Sequence, residues 1–219
     1  MPHPLAQYLD FASHHANATP ADIEKLCAAV IEHGFHAAFV NPCYISFVRP
    51  RLTKLKIGTV ISFPLGQDTI AAKVAAVNEA VQLGADELDV VPNIGTFLAG
   101  DTNGFTDEMK TIVDGARMVG TPVIVKFILD PGYCQSTEQI KQAAIAIQQS
   151  GADFVKIGSG MGPREPSVDD VKIVREAVPT MKIKVAGGVD TYEEAKTFID
   201  AGVTRIGTSH AIEIVSQAA

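Results

Sequence analysis

Short runs of β-branched and aliphatic residues alternate along this chain with longer stretches whose apolar positions recur every three or four residues. The short runs predict strands at Tyr8–Ser13, HAAFVN (36–41), IGTVIS (57–62), ELDVVP (87–92), VIVKFIL (123–129), DFVKIG (153–158), KIKVAG (182–187) and TRIGTS (204–209). The amphipathic stretches predict helices from Pro20 to near Gly34, from about Tyr44 to Lys54, and at roughly 69–83, 102–119, 136–150, 167–178, 191–201 and 210–217. Thr19 is placed to cap the first helix, with Pro20 in its first turn, where a missing N–H costs nothing. Three joints repeat one device. Leu83-Gly84-Ala85-Asp86, Ser150-Gly151-Ala152-Asp153 and Ala201-Gly202-Val203-Thr204 each stop a helix on glycine and enter a strand.

Eight strands and eight helices in strict alternation predict an α/β fold, with a (β/α)₈ TIM barrel as its architecture. An open doubly wound sheet would alternate in the same way. Eight units within 219 residues, without a large insertion or an early GxGxxG, favour closure. No linker or low-complexity segment interrupts residues 1–219, so a single domain is expected. In such a barrel the chemistry sits at the C-terminal ends of the strands.

Composition adds mainly exclusions. The 47% of apolar residues suits parallel strands buried on both faces. A net charge of −7 with no run of Lys or Arg disfavours nucleic acid as a partner. Cys27, Cys43 and Cys134 are odd in number and widely spaced, which points to neither disulfides nor a paired-cysteine metal motif. The opening MPHPLAQYLD has no basic flank and no apolar run, and no stretch has the length to span a bilayer. A cytoplasmic protein without a membrane partner is therefore expected.

Three lysines interrupt apolar strands: Lys126 in VIVKFIL, Lys156 in DFVKIG and Lys184 in KIKVAG. A buried ammonium needs a reason, because removing it from water without a partner is strongly unfavourable. An ion pair inside the barrel is one reason. A lysine pair offers another, since one ammonium disfavours protonation of its neighbour and an apolar surrounding does the same. The lysine so depressed is an amine nucleophile that forms an imine with a carbonyl substrate. Asp89, between hydrophobic neighbours in ELDVV, is either a plain salt-bridge partner or a group that moves protons beside that pair. The pattern alone does not separate Lys156 from Lys184 as the nucleophile.

GADELDVVPNIG (84–95), GADFVKIGSG (151–160), VAGGVDTYEEAKTFIDAG (185–202) and RIGTS (205–209) resemble successive blocks of the deoxyribose-phosphate aldolase family. FVNPCY (39–44) and TVISFPLG (59–66) are similar to its earlier blocks, so the likeness runs through nearly the whole chain in the family's order. The resemblance implies Lys156 as the Schiff-base nucleophile, Lys184 as the lysine that tunes it, Asp89 as proton relay and Asp10 near the lysine network. It implies a class I lyase, reversibly cleaving 2-deoxyribose 5-phosphate to glyceraldehyde 3-phosphate and acetaldehyde, with no metal or organic cofactor. It leaves a homodimer open. Gly160, Gly187-Gly188 and Gly207-Thr208-Ser209 fall where the family holds the substrate and its phosphate, at turns whose N–H groups suit an anion.

Four departures from the family's pattern reshape the expected pocket. They are Asp10-Phe11-Ala12 for Asp-His-Thr, Ile157-Gly158-Ser159-Gly160 for Thr-Ser-Thr-Gly, Asp130-Pro131 for Glu-Thr, and His210 for a second serine after Ser209. They remove hydroxyls that would meet substrate oxygens. A related Schiff-base aldolase for another aldehyde, or for an unphosphorylated one, is thus an alternative. So is a phosphosugar isomerase or epimerase on the same fold, or a barrel that only binds. His14, His15 and His210 are candidates for the rim, where surface or hydrogen-bonding roles are favoured over metal binding because their spacing matches no ligand motif, and His210 could contact the substrate's phosphate or hydroxyl. Arg164 could lend charge to the loop after strand six or stand exposed, and nothing beside Cys43 suggests an activated thiolate.

Overall fold

The computed structural model describes residues 3–218. Its strands are β1 (Leu9–Ser13), β2 (Ala37–Val40), β3 (Lys56–Ile61), β4 (Glu87–Val90), β5 (Ile124–Leu129), β6 (Phe154–Ile157), β7 (Lys182–Ala186) and β8 (Arg205–Thr208). They form one closed parallel barrel in chain order. Closure is made by β1 against β8, with Leu9 opposite Ile206, Asp10 opposite Gly207 and Phe11 opposite Thr208, which excludes the open-sheet alternative. The helices are α1 (Pro20–His33), α2 (Ile45–Val48), α3 (Ile70–Gln82), α4 (Ile94–Leu98), α5 (Thr102–Met118), α6 (Thr137–Gln149), α7 (Val168–Ala177), α8 (Tyr192–Asp200) and α9 (Ala211–Gln217). None of the described helices is long and apolar enough to cross a membrane.

Local chemistry sets most of these boundaries. Thr19 and Asp22 form a reciprocal capping box at the start of α1, and Gly34 ends that helix in the left-handed region. Gly84, Gly151 and Gly202, the three joints of the sequence pattern, all have positive φ, at 104°, 82° and 91°. The second helix is shorter than expected. Pro50 has no N–H for the carbonyl four residues back, so α2 stops at Val48 and the chain leaves through turns. Helix α4 was not expected. It is five residues long, too short for a periodic signal, and is opened by the Asn93 side chain accepting from the Thr96 N–H.

Strand parity divides the interior into two cores. Val155 and Ile157 of β6, Ile183 and Val185 of β7, and Val125, Phe127 and Leu129 of β5 join the helices in one apolar shell around the barrel. Each Val or Ile fully buried there contributes about 1.5–3 kcal/mol. The alternate residues face the barrel axis. Barrels usually fill that axis with layers of branched apolar side chains. Here Phe39 and Phe154 share it with Asp10, Glu87, Asp89, Lys126, Lys156 and Lys184, all of them buried. Outside the barrel, Lys73 of α3 donates to the Gly66 and Val91 carbonyls and to Glu108 of α5. That buried cation ties the turns after β3 and β4 to two helices.

Candidate active site

The parallel register fixes which charged side chains meet. Asp89 stands opposite Lys126 across β4–β5, and Lys156 opposite Lys184 across β6–β7. Their tips converge on Asp89. Its Oδ1 accepts from Lys126 Nζ at 3.0 Å, while Oδ2 lies 2.9 Å from Lys156 Nζ and 2.8 Å from Lys184 Nζ. The two Oδ2 contacts are close charge pairs rather than aligned hydrogen bonds. Lys184 is wedged further, 2.7 Å from Asp10 Oδ2 and 3.5 Å from the centre of the Phe39 ring. Phe39 can lie there because Gly58, its neighbour on β3, has no side chain; a Cβ would overlap the ring. Below them, Lys126 Nζ is 2.6 Å from Glu87 Oε2, and Glu87 Oε1 is 2.8 Å from His36 Nε2.

Four cationic side chains, Lys126, Lys156, Lys184 and Arg205, thus meet three carboxylates, Asp10, Glu87 and Asp89. The cations outnumber the carboxylates by one, and the excess bears on Lys156. Burial, followed by the charge of Lys184, holds its amine below the ordinary lysine value, and the opposing pull of Asp89 does not restore it. Lys126 goes the other way. Burial would lower it, but Asp89, Glu87 and Asp10 outweigh burial and keep it firmly protonated. For Asp89, burial is outweighed by Lys126, Lys156 and Lys184, so its carboxyl is held well below the usual carboxylate range. Glu87 is lowered in the same way, against burial, by Lys126 and by its bond with His36. At Asp10 burial prevails over Lys184 and its pKa is raised.

Lys156 and Lys184 line a cavity of about 250 Å³ at the C-terminal end of the barrel. Its other walls are His14 and His15 after β1, Ser159–Met161 after β6, Gly187–Asp190 after β7 and Gly207–Ser209 at the end of β8, with Phe39 and Phe63 as aromatic surfaces. Gly160, Gly187, Gly188, Gly207, Thr208 and Ser209, singled out from the sequence, therefore all reach it. Asp10 and Asp89 do not. They lie beneath it, fully buried, and touch the lysines that line it. Lys126 is likewise outside the cavity, which leaves Lys156, with a single carboxylate contact, as the less restrained of the two lysines that border it.

The departures from the family pattern have local reasons. Ile157 points into the outer shell, and Gly158 has φ 86° with the Ala186 carbonyl where a Cβ would be. Asp130 Oδ1 accepts from the Ser159 N–H at 2.7 Å, so it braces the turn that follows Lys156. His14 rests among Phe39, Phe63 and the lysines; burial and the Lys156 charge push it down to about 3, so its ring is neutral. Its Nε2 has no partner among the described residues. His210 pairs with Asp190 at 2.9 Å, and Arg164 is committed to both oxygens of Asp170 at 2.6 and 2.7 Å rather than to the cavity. Cys43 is exposed and not part of the lining.

Asp10, His36 and Glu87 also offer ligand atoms within 4.8 Å of one another. Lys184, Lys126 and the His36–Glu87 bond already engage those atoms, so the trio belongs to the charge network. Sequence reasoning missed Glu87, Phe39 and Asp190. Glu87 was readable, since it lies two residues before Asp89 on the same strand face. Phe39 was not, because nothing in HAAFVN tells which face it takes.

Residues 5–209 match the family described as DeoC/LacD family aldolase. The chain is 39% identical over 216 residues to deoxyribose-phosphate aldolase of Thermoanaerobacter sp. (strain X514), covering 97% of this chain and 96% of that one. It is 38% identical to the enzyme of the same name from Methanocella arvoryzae, with 98% and 95% covered. Among solved structures, an aldolase called QR15 superposes with a TM-score of 0.93 at 31% identity, covering 98% of this chain and 96% of the other. A deoxyribose phosphate aldolase from Aeropyrum pernix, described as a tetramer, gives 0.89 at 28% identity, with 98% and 90% covered.

Proposed function

Because the chain belongs to the DeoC/LacD family of aldolases, we propose that Lys156 is the nucleophile of a class I aldolase that reversibly cleaves 2-deoxyribose 5-phosphate to glyceraldehyde 3-phosphate and acetaldehyde. The observation that carries the assignment of Lys156 is its place in the charge network. It is the cavity-lining lysine with one carboxylate partner, in a cluster holding one cation too many.

The neutral Nζ adds to the substrate's aldehyde carbon, and loss of water gives a cationic imine. The second and third carbons of the sugar then separate as the 3-hydroxyl loses its proton. The bonding pair passes into the imine, leaving an enamine on Lys156 while the acceptor aldehyde departs. Protonation of the enamine carbon and addition of water release acetaldehyde and return the free amine. Lys184, held by Asp10 and Asp89, keeps a positive neighbour beside Lys156 and so keeps its amine nucleophilic. Asp89 supplies the fixed countercharge when the imine becomes cationic, and relays protons between the lysines. The neutral ring of His14 offers Nε2 to a substrate oxygen. Gly160, Gly187, Gly188, Gly207, Thr208 and Ser209 enclose the far end of the substrate. No metal or organic cofactor enters this scheme.

The test is borohydride reduction in the presence of acetaldehyde, followed by peptide mass spectrometry. Reduction should fix a two-carbon adduct on Lys156 in the wild type and none in Lys156→Ala, which should also lose at least ~10³-fold in turnover. A well-folded wild type that carries no adduct on any lysine would sink the imine mechanism.

A further inference from the structure

The cleavage reaction fixes which bond breaks; it does not fix what hangs on the far carbon of the acceptor. Three features of the cavity's outer end bear on that. First, Lys156 and Lys184 are the only lysines or arginines in its lining among the described residues, and both contact buried carboxylates. Arg164, the nearby cation that could have served, is held by Asp170.

Second, the lining contains a carboxylate, Asp190, directly after the Gly187–Val189 turn. A Cβ on Gly188 would strike the Glu165 carboxylate, so a second acid lies against the same turn. A phosphate monoester carries close to two negative charges near neutral pH, and carboxylates in the wall around it repel it. Among the described residues the ion-pair partner of Asp190 is His210, whose Nδ1 is 2.9 Å from Asp190 Oδ1.

Third, several donors that could hold phosphate oxygens are taken within the protein. Glu194 Oε2 accepts from the N–H groups of Asp190 and Thr191, at 2.9 and 3.0 Å. The Thr208 hydroxyl donates to the Val189 carbonyl at 2.7 Å and accepts from the His210 N–H at 2.9 Å. The exposed ends of this region are hydroxyls and imidazoles, Ser209, His15 and His210, together with the apolar Met161. These groups suit a neutral hydroxyl.

We propose that the outer end of the pocket selects an unphosphorylated, hydroxyl-bearing acceptor aldehyde over its phosphate ester, with Asp190 as the residue that sets the preference. The proposal rests on the aldolase reading of Lys156 and refines its substrate: 2-deoxyribose 5-phosphate is turned over, but less efficiently than the free sugar. It is a selection by repulsion as much as by attraction, since a carboxylate whose one close partner is an imidazole still discriminates against an anion without contacting the neutral competitor.

The experiment measures condensation of acetaldehyde with D-glyceraldehyde and with D-glyceraldehyde 3-phosphate, in wild type, Asp190→Asn and Asp190→Lys. In the wild type, kcat/KM for glyceraldehyde should equal or exceed that for the phosphate. Removing the charge should raise the phosphate value roughly three- to tenfold relative to the glyceraldehyde value, and Asp190→Lys should raise that ratio further. Raising ionic strength should help the wild type with the phosphate and leave glyceraldehyde unaffected. A wild-type preference for the phosphate overturns the proposal, as does a ratio unmoved in both variants. Borohydride labelling with acetaldehyde alone separates the two levels. An adduct on Lys156 together with a phosphate preference defeats only the selectivity, whereas no adduct defeats the aldolase mechanism itself.

Discussion

Lys156 and Lys184 stand opposite one another in the β6–β7 register and approach the same oxygen, Asp89 Oδ2, at 2.9 and 2.8 Å. Their inequality comes from what else each touches. Lys184 has Asp10 and the face of Phe39 as well; Lys156 has the cavity.

That inequality can be read from a pH profile. The amine reacts only when unprotonated, so imine formation should rise with pH through the pKa of Lys156, below the ordinary lysine value of 10.5. Lys184→Leu removes a neighbouring cation and frees negative charge on Asp10 and Asp89. Both changes favour the ammonium, so the acid limb should move to higher pH. The rate of borohydride-trapped adduct formation with acetaldehyde against pH measures this, and a limb that stays in place contradicts the tuning role.

Asp89→Asn leaves three lysines around a neutral amide. Breaking a buried pair from one side costs about 3–5 kcal/mol, and urea unfolding at pH 7 should show a loss of that order. Asp89→Asn combined with Lys126→Met removes one of the stranded cations and should recover part of it. A double variant no more stable than the single one would mean that Lys126 is not strained by the loss.

Acid should weaken the fold through the same residues. Asp89 and Glu87 have folded pKa values below their unfolded values of 3.8 and 4.5. Their stabilisation is therefore fully present above those values and is lost as pH falls toward the folded ones. Asp10, whose pKa is raised, opposes this in part, because its buried charge is relieved on protonation. Thermal unfolding measured from pH 7 downward should begin to decline near 6.5, where unfolded His14 takes up a proton that the folded ring, lowered to about 3, does not. The decline should steepen below about 4.5 as the carboxylates join in. In Glu87→Gln the decline should be shallower. A decline as steep as in the wild type would rule out Glu87 as a contributor.

Gly58→Ala tests how Phe39 is placed. The added methyl overlaps the ring, which must move away from Lys184. Overpacking of this kind costs about 1–3 kcal/mol. Turnover should fall by more than stability explains, and the adduct-formation pH profile should shift, since Lys184 loses its aromatic neighbour. A variant that is destabilised but has an unaltered profile would make Phe39 a packing residue only.

Much of this molecule was legible in the sequence because parallel strands buried on both faces write themselves as short aliphatic runs, and a lysine inside one stands out. Pro50 was equally visible as the limit of α2, although periodicity alone ran past it. What could not be read was inequality within a set. Lys156 and Lys184 differ by the number of carboxylates they meet, which exists only once β1 closes against β8 and brings Asp10 across. Asp190 stood in plain sight in AGGVD, but its meaning depends on Arg164 being engaged elsewhere, a fact of the folded loop.

The parity of the strands separates two kinds of inheritance. Outward positions on β5, β6 and β7 answer to the helices, where one aliphatic residue can replace another at little risk to the reaction. Inward positions form a closed set in which each substitution obliges a second. Single substitutions in the outer shell should therefore shift heat tolerance and spare the reaction, whereas a change at the reactive centre calls for a compensating partner. New substrates must then enter through the turns above it.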